Sequence, residues 1–136
     1  MLDRIRKLEE NIAELERFRS SHTVEEVRRD RHLEWALRYG LFEAIQIVID
    51  VCCHLVSEYN LGAPTTYSEC VHFLRVGGYI SPGLAEKLTA MIGLRNLLIH
   101  EYIRVVPEKL FGLLENVDDF KAFIAEIEEH LPKSDA

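Results

Sequence analysis

Apolar residues recur at steps of three and four along almost the whole chain, and this spacing is typical of amphipathic α-helices. The clearest example is the N-terminal segment, whose apolar positions are Leu2, Ile5, Leu8, Ile12, Leu15 and Phe18. No run with the two-residue alternation of a half-buried β-strand is long enough to compete with this pattern. The chain is therefore predicted to be all-α, with a first helix over residues 2–19.

Local capping patterns divide the rest of the chain into further helices. The T-x-x-E pattern at Thr23 predicts the start of a long helix that runs to about Asn60. The same pattern at Thr66 predicts a short helix through Val76, which two glycines follow. These starts are expected because the threonine side chain accepts a hydrogen bond from a backbone N–H that the helix leaves unpaired.

Two prolines mark the remaining helix starts. Ser81 with Pro82 predicts a fourth helix that includes residues 95–102, and Pro107 predicts a fifth helix toward Leu131. The expected architecture is an up-and-down bundle of about five helices.

The length, composition and charge of the chain limit the possible functions. With 136 residues and 48% hydrophobic composition, residues 1–136 are expected to form a single domain with a substantial core. The net charge of −7 argues against nonspecific binding to nucleic acid, and we expect no DNA partner. The dense basic island contains Arg28, Arg29 and Arg31, and such a cluster is more often a solvated helix face than a binding site.

The cysteine content and the apolar segments bear on the location of the protein. Three cysteines are an odd count, and the N-terminus lacks the order of a signal peptide, so we expect buried thiols in a reducing cytoplasm. The most apolar segment, residues 41–56, carries Glu43 and Asp50 and is expected to be too short to span a bilayer. A soluble protein with no membrane partner is predicted.

The octet RNLLIHEY, residues 95–102, places polar side chains among leucines and isoleucines. On a helix, Arg95 and Tyr102 would fall almost on one line, and Asn96 and His100 on an adjacent line. The rest of this helix is apolar on nearly every side, and such a helix is usually buried on nearly every side. We therefore predict a homodimer with this helix near the two-fold axis.

A polar stripe also follows the long predicted helix, and it consists of Glu43, Gln46, Asp50 and His54. Buried carboxylates need partners. Asp50 or Glu43 could pair with Arg95 as a structural bridge, or the stripe could hold Arg95 and His100 in place for chemistry. Both interpretations use the same contact, so Asp50 and Glu43 are candidate supporting residues.

Spacing excludes several chemistries and leaves one. The sequence has no C-x-x-C or H-E-x-x-H pattern for a metal and no glycine pattern for a phosphate loop, so neither a metal nor a cofactor is predicted. Arginine with histidine suits cleavage of RNA, because histidine can move a proton of the ribose 2'-hydroxyl or of the leaving oxygen, and arginine can stabilise the phosphorane. The common alternative to a catalytic pair is that the histidine is a core residue whose ring nitrogens are hydrogen-bonded within the fold.

The order R-N-x-x-x-H-x-Y, formed by Arg95, Asn96, His100 and Tyr102, resembles the R-x4-H-x-Y motif of the HepT toxins in the HEPN superfamily. The likeness extends to other parts of the chain. Residues 31–55 look like the long helix of that family, residues 64–81 look like its short helix and turn, and residues 84–102 look like its motif helix.

The resemblance implies a dimeric, metal-independent ribonuclease toxin of a type II or type VII toxin–antitoxin pair, with motif residues from both chains lining a cleft. It implies Arg95 and His100 as the catalytic pair and Asn96 as a supporting residue. It also implies that a nucleotidyltransferase antitoxin of the MntA type attaches AMP to Tyr102. Two other functions stay open, namely a noncatalytic module that docks a nucleotidyltransferase and a structural dimer with a buried ionic cluster.

Overall fold

Seven α-helices and one short 3-10 helix form the regular structure of residues 1–100 and 105–131, the parts of the chain that this computed structural model describes. These parts contain no β-strand, so the predicted all-α fold class is confirmed. The α-helices are α1 Leu2–Ser21, α2 Val24–Arg29, α3 Arg31–Glu58, α4 Tyr67–Val76, α5 Pro82–Ile99, α6 Pro107–Gly112 and α7 Val117–His130.

Helix α1 follows the predicted spacing. Its buried residues, Ile5, Leu8, Ile12 and Leu15, lie along one face, and this helix packs against α3 and α7. Leu8 is fully buried, and burial of one such side chain stabilises a fold by about 1.5–3 kcal/mol. Hydrophobic burial therefore holds α1 on the bundle.

The predicted long helix is divided in two at Asp30, where the backbone is extended with φ −120° and ψ 107°. The capping box at Thr23 is present as predicted, but the helix that it starts ends at Arg29. The Asp30 side chain then accepts a hydrogen bond from the backbone N–H of His32 at 2.9 Å and begins α3. The prediction of one helix was wrong because an aspartate inside the pattern acts as a second N-cap.

The basic island spans this break and is partly neutralised within the chain. Arg28 forms ion pairs with Glu25 and Glu108. The guanidinium of Arg31 lies over the Trp35 ring, with 4.9 Å between Cζ and the ring centroid.

Helix α3 is the central helix, and it packs against α1, α4 and α5. The apolar segment that was expected to be too short for a bilayer lies within its 28 residues. By length and composition alone, α3 could cross a membrane. Half of its most apolar 18-residue window is buried inside the protein, which is typical of the core helix of a bundle.

The predicted starts of α4 and α5 are confirmed. The Thr66 hydroxyl accepts a hydrogen bond from the Glu69 N–H at 3.2 Å, and the Ser81 hydroxyl accepts one from the Leu84 N–H at 3.2 Å. Between the two helices, Gly78 has a φ of +84°, a conformation that favours glycine.

Helix α5 ends at Ile99, so the prediction that the whole octet is helical was wrong. His100 is extended, with φ −87° and ψ 94°. Near this helix end, the carbonyl of Leu98 accepts a long hydrogen bond, 3.5 Å, from Nη1 of Arg38 on α3. This bond satisfies one of the carbonyls that a helix end leaves unpaired.

The predicted fifth helix is also divided, although it begins at Pro107 as expected. The 3-10 helix Leu113–Asn116 separates α6 from α7. Gly112, which has a low helix propensity, precedes this tighter turn. The change of pitch places Leu110, Leu114, Val117 and Phe120 in the core.

The cysteines differ from the prediction of three buried thiols. Cys53 on α3 and Cys70 on α4 form a disulfide, with 5.1 Å between their Cα atoms. Cys52 is the free cysteine, and burial raises the pKa of its thiol. The sequence could not reveal this pair because the 17-residue separation becomes a contact only when α4 packs on α3.

Candidate active site around Arg95

Arg95 lies on the last turns of α5, and its partly buried side chain contacts α3. Its Nε–H donates a hydrogen bond to Oε1 of Gln46 at 2.9 Å. Its Nη1 donates a hydrogen bond to Oδ1 of Asn96 at 3.1 Å. Two neutral amide oxygens therefore orient the guanidinium.

Two aromatic rings also contact the guanidinium. Its Cζ lies 5.6 Å from the ring centroid of Phe42 on α3 and 5.3 Å from that of Tyr67 on α4. Both distances are within the range of cation–π attraction. Residues from α3, α4 and α5 thus hold one arginine.

The charge of Arg95 is not neutralised by a carboxylate in the described chain. None of the ion pairs within residues 1–100 and 105–131 includes Arg95. The hydrogen bonds to Gln46 and Asn96 use only some of the N–H groups of the guanidinium. The others can donate to an anion, and a phosphate matches the geometry of an arginine.

Asp50 reaches Arg95 only through another side chain. It is exposed, and its Oδ1 accepts a hydrogen bond from Nε2 of Gln46 at 3.0 Å. The direct bridge considered between Asp50 and Arg95 is therefore not formed, although both residues belong to one hydrogen-bond network through Gln46. Gln46 lies between them and can bond to both. Its amide oxygen accepts a hydrogen bond from the Arg95 Nε–H, and its amide N–H donates one to the Asp50 carboxylate.

Glu43 is turned toward α1, and the bridge considered between its carboxylate and Arg95 is not formed. Its carboxylate accepts hydrogen bonds from the Tyr39 hydroxyl at 2.6 Å and from Nδ2 of Asn11 at 2.8 Å. The pKa of Glu43 is lowered chiefly by the hydrogen bond from Tyr39, and also by the bond from Asn11 and the charge of Lys7. Burial acts in the opposite direction. Glu43 therefore links α1 to α3.

His100 is exposed and lies directly after the last residue of α5. The helical lines predicted through the octet stop at Ile99, where α5 ends. Tyr102, the predicted AMP acceptor, lies outside the described residues. Arg38, which the sequence analysis missed, contacts the Leu98 carbonyl two residues before His100.

An open groove of about 600 Å³ lies beside this cluster. Asn96 and Ile92 line it from α5, and the N-terminal part of α4 contributes Tyr67 and Ser68. The two cysteines of the disulfide also line it. The groove gives solvent and small ligands access to the surroundings of Arg95.

The sequence did not indicate that Phe42 and Tyr67 contact the arginine. Gln46 belongs to the polar stripe that was considered as a support for Arg95, and it is the member of that stripe that bonds to the guanidinium. Nothing in the local spacing links Tyr67 to Arg95. The buried ionic cluster considered above is absent from the described chain, in which every buried residue is hydrophobic. Within that part, no group of three or more His, Cys, Asp or Glu side chains is placed to hold a metal.

Comparison with known proteins relates this chain to ribonucleases. A family model described as Ribonuclease HepT-like matches residues 8–127. A protein of Archaeoglobus fulgidus is 35% identical over 99 residues, which cover 70% of this chain and 72% of that protein. The mRNA nuclease HepT of Shewanella oneidensis is 24% identical over 98 residues, which cover 71% of this chain and 74% of that protein.

The fold is also shared with a solved toxin structure. The tri-AMPylated HEPN toxin of Shewanella oneidensis, solved in complex with an MNT antitoxin, superposes with a TM-score of 0.85. The match covers 95% of this chain and 96% of the toxin, at 21% sequence identity. Because the family model covers most of the sequence, including the motif from Arg95 to Tyr102, the chain belongs to the HepT-like family.

Proposed function

We propose that this protein is a ribonuclease toxin that cleaves RNA without a metal ion, with Arg95 and His100 as its catalytic residues. The observation that carries the proposal is the guanidinium of Arg95. It is partly buried, oriented by Gln46 and Asn96, not neutralised by a carboxylate of the described chain, and next to an open groove. The relative from Shewanella oneidensis is named as an mRNA nuclease.

The proposed reaction is a transesterification within the RNA strand. The ribose 2'-oxygen attacks the neighbouring phosphorus, and the bond from phosphorus to the 5'-oxygen of the next nucleotide breaks. The products are a 2',3'-cyclic phosphate and a 5'-hydroxyl. One proton leaves the 2'-hydroxyl and one joins the leaving oxygen, and His100 exchanges one of these protons. Arg95 stabilises the charge that develops on the phosphorane oxygens.

The active form is proposed to be a homodimer. Ile99, the last residue of α5, is 46% exposed, and Leu94 and Leu97 are partly exposed on the same helix. A second copy of α5 would cover these apolar side chains and bring two copies of the motif into one cleft. This arrangement gives the reaction a second histidine for the other proton.

A partner nucleotidyltransferase is proposed to control the enzyme. The related Shewanella oneidensis toxin carries AMP and was solved in complex with an MNT antitoxin. By the position of Tyr102 in the motif, we propose it as the AMP acceptor in this chain. An AMP phosphate near Arg95 would occupy the place that an RNA phosphate needs.

The test is cleavage of end-labelled RNA by the wild type, Arg95→Ala and His100→Ala. Both variants should lose cleavage, because each removes a group that acts on the reacting phosphate. Arg75→Ala is the matched control, since it removes an exposed arginine from the neighbouring helix α4. Circular dichroism should show that all the variants are folded, because Arg95 has no ion-pair partner in the described chain that its loss would leave buried.

Two further conditions test the mechanism. Cleavage should continue in the presence of a chelator, and an all-deoxy strand should stay intact because it lacks the 2'-hydroxyl. Chelator-sensitive cleavage, or products without a cyclic phosphate, would refute the proposed chemistry. Intact RNA with the wild type, together with a stable complex with a nucleotidyltransferase, would favour the noncatalytic docking module.

A further inference from the structure

The ring of Tyr67 joins Arg95 to the groove. Tyr67 is the first residue of α4, and the Thr66 cap at the start of this helix places it there. The guanidinium of Arg95 lies 5.3 Å from the centroid of the ring. The side chain is nevertheless 41% exposed and lines the groove. An aromatic surface is thus available beside the arginine that the proposed function assigns to the RNA phosphate.

The walls of the groove suit a flat, partly polar ligand. Ile92 and the disulfide between Cys53 and Cys70 contribute apolar surface. Asn96 contributes an amide, and because its Oδ1 already accepts from Arg95, its Nδ2 group can donate to a ligand. The volume of about 600 Å³ is within the range of small-molecule sites, which are mostly apolar with a few polar groups.

The charge around the groove favours an anionic ligand that has an aromatic part. Arg95 supplies the cation next to Tyr67. The carboxylate of Glu69, in the first turn of α4, accepts hydrogen bonds from the backbone N–H and the hydroxyl of Thr65, at 3.0 Å for the N–H, and it forms no ion pair with Arg95. A nucleotide has both required parts, a phosphate for the guanidinium and a base for the ring.

We propose that Tyr67 is a stacking platform for the base of an unpaired nucleotide whose phosphate is bound by Arg95. The inference rests on the proposed ribonuclease function and names its substrate class as single-stranded RNA. A base inside a duplex is stacked on both faces, so it must leave the helix before it can lie on an aromatic side chain. The groove then holds the base while the sugar and phosphate extend toward Arg95 and the cleavage site. Tyr67 is a positioning residue in this scheme, and Asn96 offers a donor to the edge of the base.

The experiment uses the full chain and a 2'-O-methyl RNA oligonucleotide, which binds but cannot be cleaved. The fluorescent base 2-aminopurine is placed at each position in turn, because stacking quenches its emission. We expect strong quenching at one position in the wild type. Tyr67→Phe should retain this quenching because it keeps the ring, whereas Tyr67→Leu should lose it and bind roughly 5- to 150-fold more weakly. After the oligonucleotide is annealed to its complement, addition of the protein should cause no further quenching, because the bases are already stacked inside the duplex.

Tyr39→Leu is the matched control, because Tyr39 is 63% exposed on α3 and bonds to Glu43 rather than contacting Arg95. This variant should quench and bind like the wild type. If the wild type binds RNA and no position is quenched, or if Tyr67→Leu keeps both quenching and affinity, the stacking inference is overturned and the ribonuclease proposal stands. If the wild type neither binds nor cleaves RNA, the ribonuclease proposal itself is overturned. The Phe variant keeps the test valid even where the Leu variant fails to fold.

Discussion

The Nε–H of Arg95 on α5 donates a hydrogen bond to Oε1 of Gln46 on α3 at 2.9 Å. The same Gln46 amide donates from Nε2 to Asp50 at 3.0 Å, so its orientation is set from both sides. Gln46 thereby aligns the guanidinium without neutralising it. A carboxylate at this place would form an ion pair with Arg95 and compete with an RNA phosphate.

Replacement of Gln46 tests this alignment. We expect Gln46→Leu to reduce kcat for RNA cleavage about 10- to 100-fold, because a displaced catalytic group costs rate steeply. Gln46→Glu should also reduce cleavage, since the new carboxylate would pair with the guanidinium. Asp50→Asn is the control: its amide oxygen can still accept from Gln46, so steady-state kinetics should match the wild type. Full activity in Gln46→Leu would contradict the positioning role.

Glu43 gives a prediction for the dependence of stability on pH. Its pKa is lowered in the folded protein, chiefly by the Tyr39 hydroxyl, so the carboxylate stabilises the fold above its unfolded pKa. This contribution is lost as the pH falls through the lowered folded pKa. Urea unfolding of Glu43→Gln should show a loss of roughly 1 kcal/mol near neutral pH and a smaller loss in acid. Tyr39→Phe should weaken the acid dependence in the same way.

The Glu43→Gln variant also tests whether Glu43 affects only stability or RNA cleavage as well. Because Glu43 contacts α1 and not Arg95, Glu43→Gln should cleave RNA at the wild-type rate at a temperature where both proteins are folded. A loss of cleavage comparable to that of Gln46→Leu would show that Glu43 does act on the site.

The disulfide between Cys53 and Cys70 predicts how many cysteines react with an alkylating reagent. In denaturant without a reductant, one cysteine, Cys52, should react with an alkylating reagent, and all 3 cysteines should react after reduction. The double variant Cys53→Ser and Cys70→Ser should be less stable by about 3 kcal/mol in the absence of reductant, as expected for a loop of this length. In excess reductant the difference should nearly vanish. Three reactive thiols without reductant would contradict the disulfide.

The proposed homodimer can be tested by substitution of Ile99 at the end of α5. Light scattering should show a dimer for the wild type at micromolar concentration. Ile99→Glu should shift it toward monomer, because it would place a charge in the proposed interface. Val76→Glu is the control, since Val76 is also a large exposed apolar residue, at 66%, but lies at the end of α4. A wild-type monomer, or equal effects of the two variants, would argue against the interface.

Modification is tested by co-expression with a nucleotidyltransferase antitoxin of the MNT type. Peptide mass spectrometry should locate AMP on Tyr102, and the modified protein should no longer cleave RNA. Tyr102→Phe should stay unmodified, whereas Tyr67→Phe should be modified as in the wild type. Adenylate on other residues only, or full cleavage by the protein modified at Tyr102, would reject the assignment.

Local sequence determined where most helices begin and which residues form the motif. Thr23, Thr66, Ser81 and Pro107 act within three or four residues of themselves, so their effects could be predicted without knowledge of the rest of the chain. The same holds for the buried face of α1, because a helix repeats with a fixed period. The motif itself is contiguous, and its likeness to the HepT-like family was visible in the letters alone.

Only the tertiary structure decided what Arg95 touches. Gln46 lies 49 residues away in the sequence, and Tyr67 lies on a third helix, so these contacts depend on how α3, α4 and α5 cross. The same packing pairs Cys53 with Cys70 and brings Arg38 to the last carbonyls of α5. Helical period is a property of the local backbone, whereas contacts between helices depend on crossing angle and rotation, which burial of the whole core sets. The sequence therefore identified the arginine, and the packing of three helices decided its partners and the groove beside it.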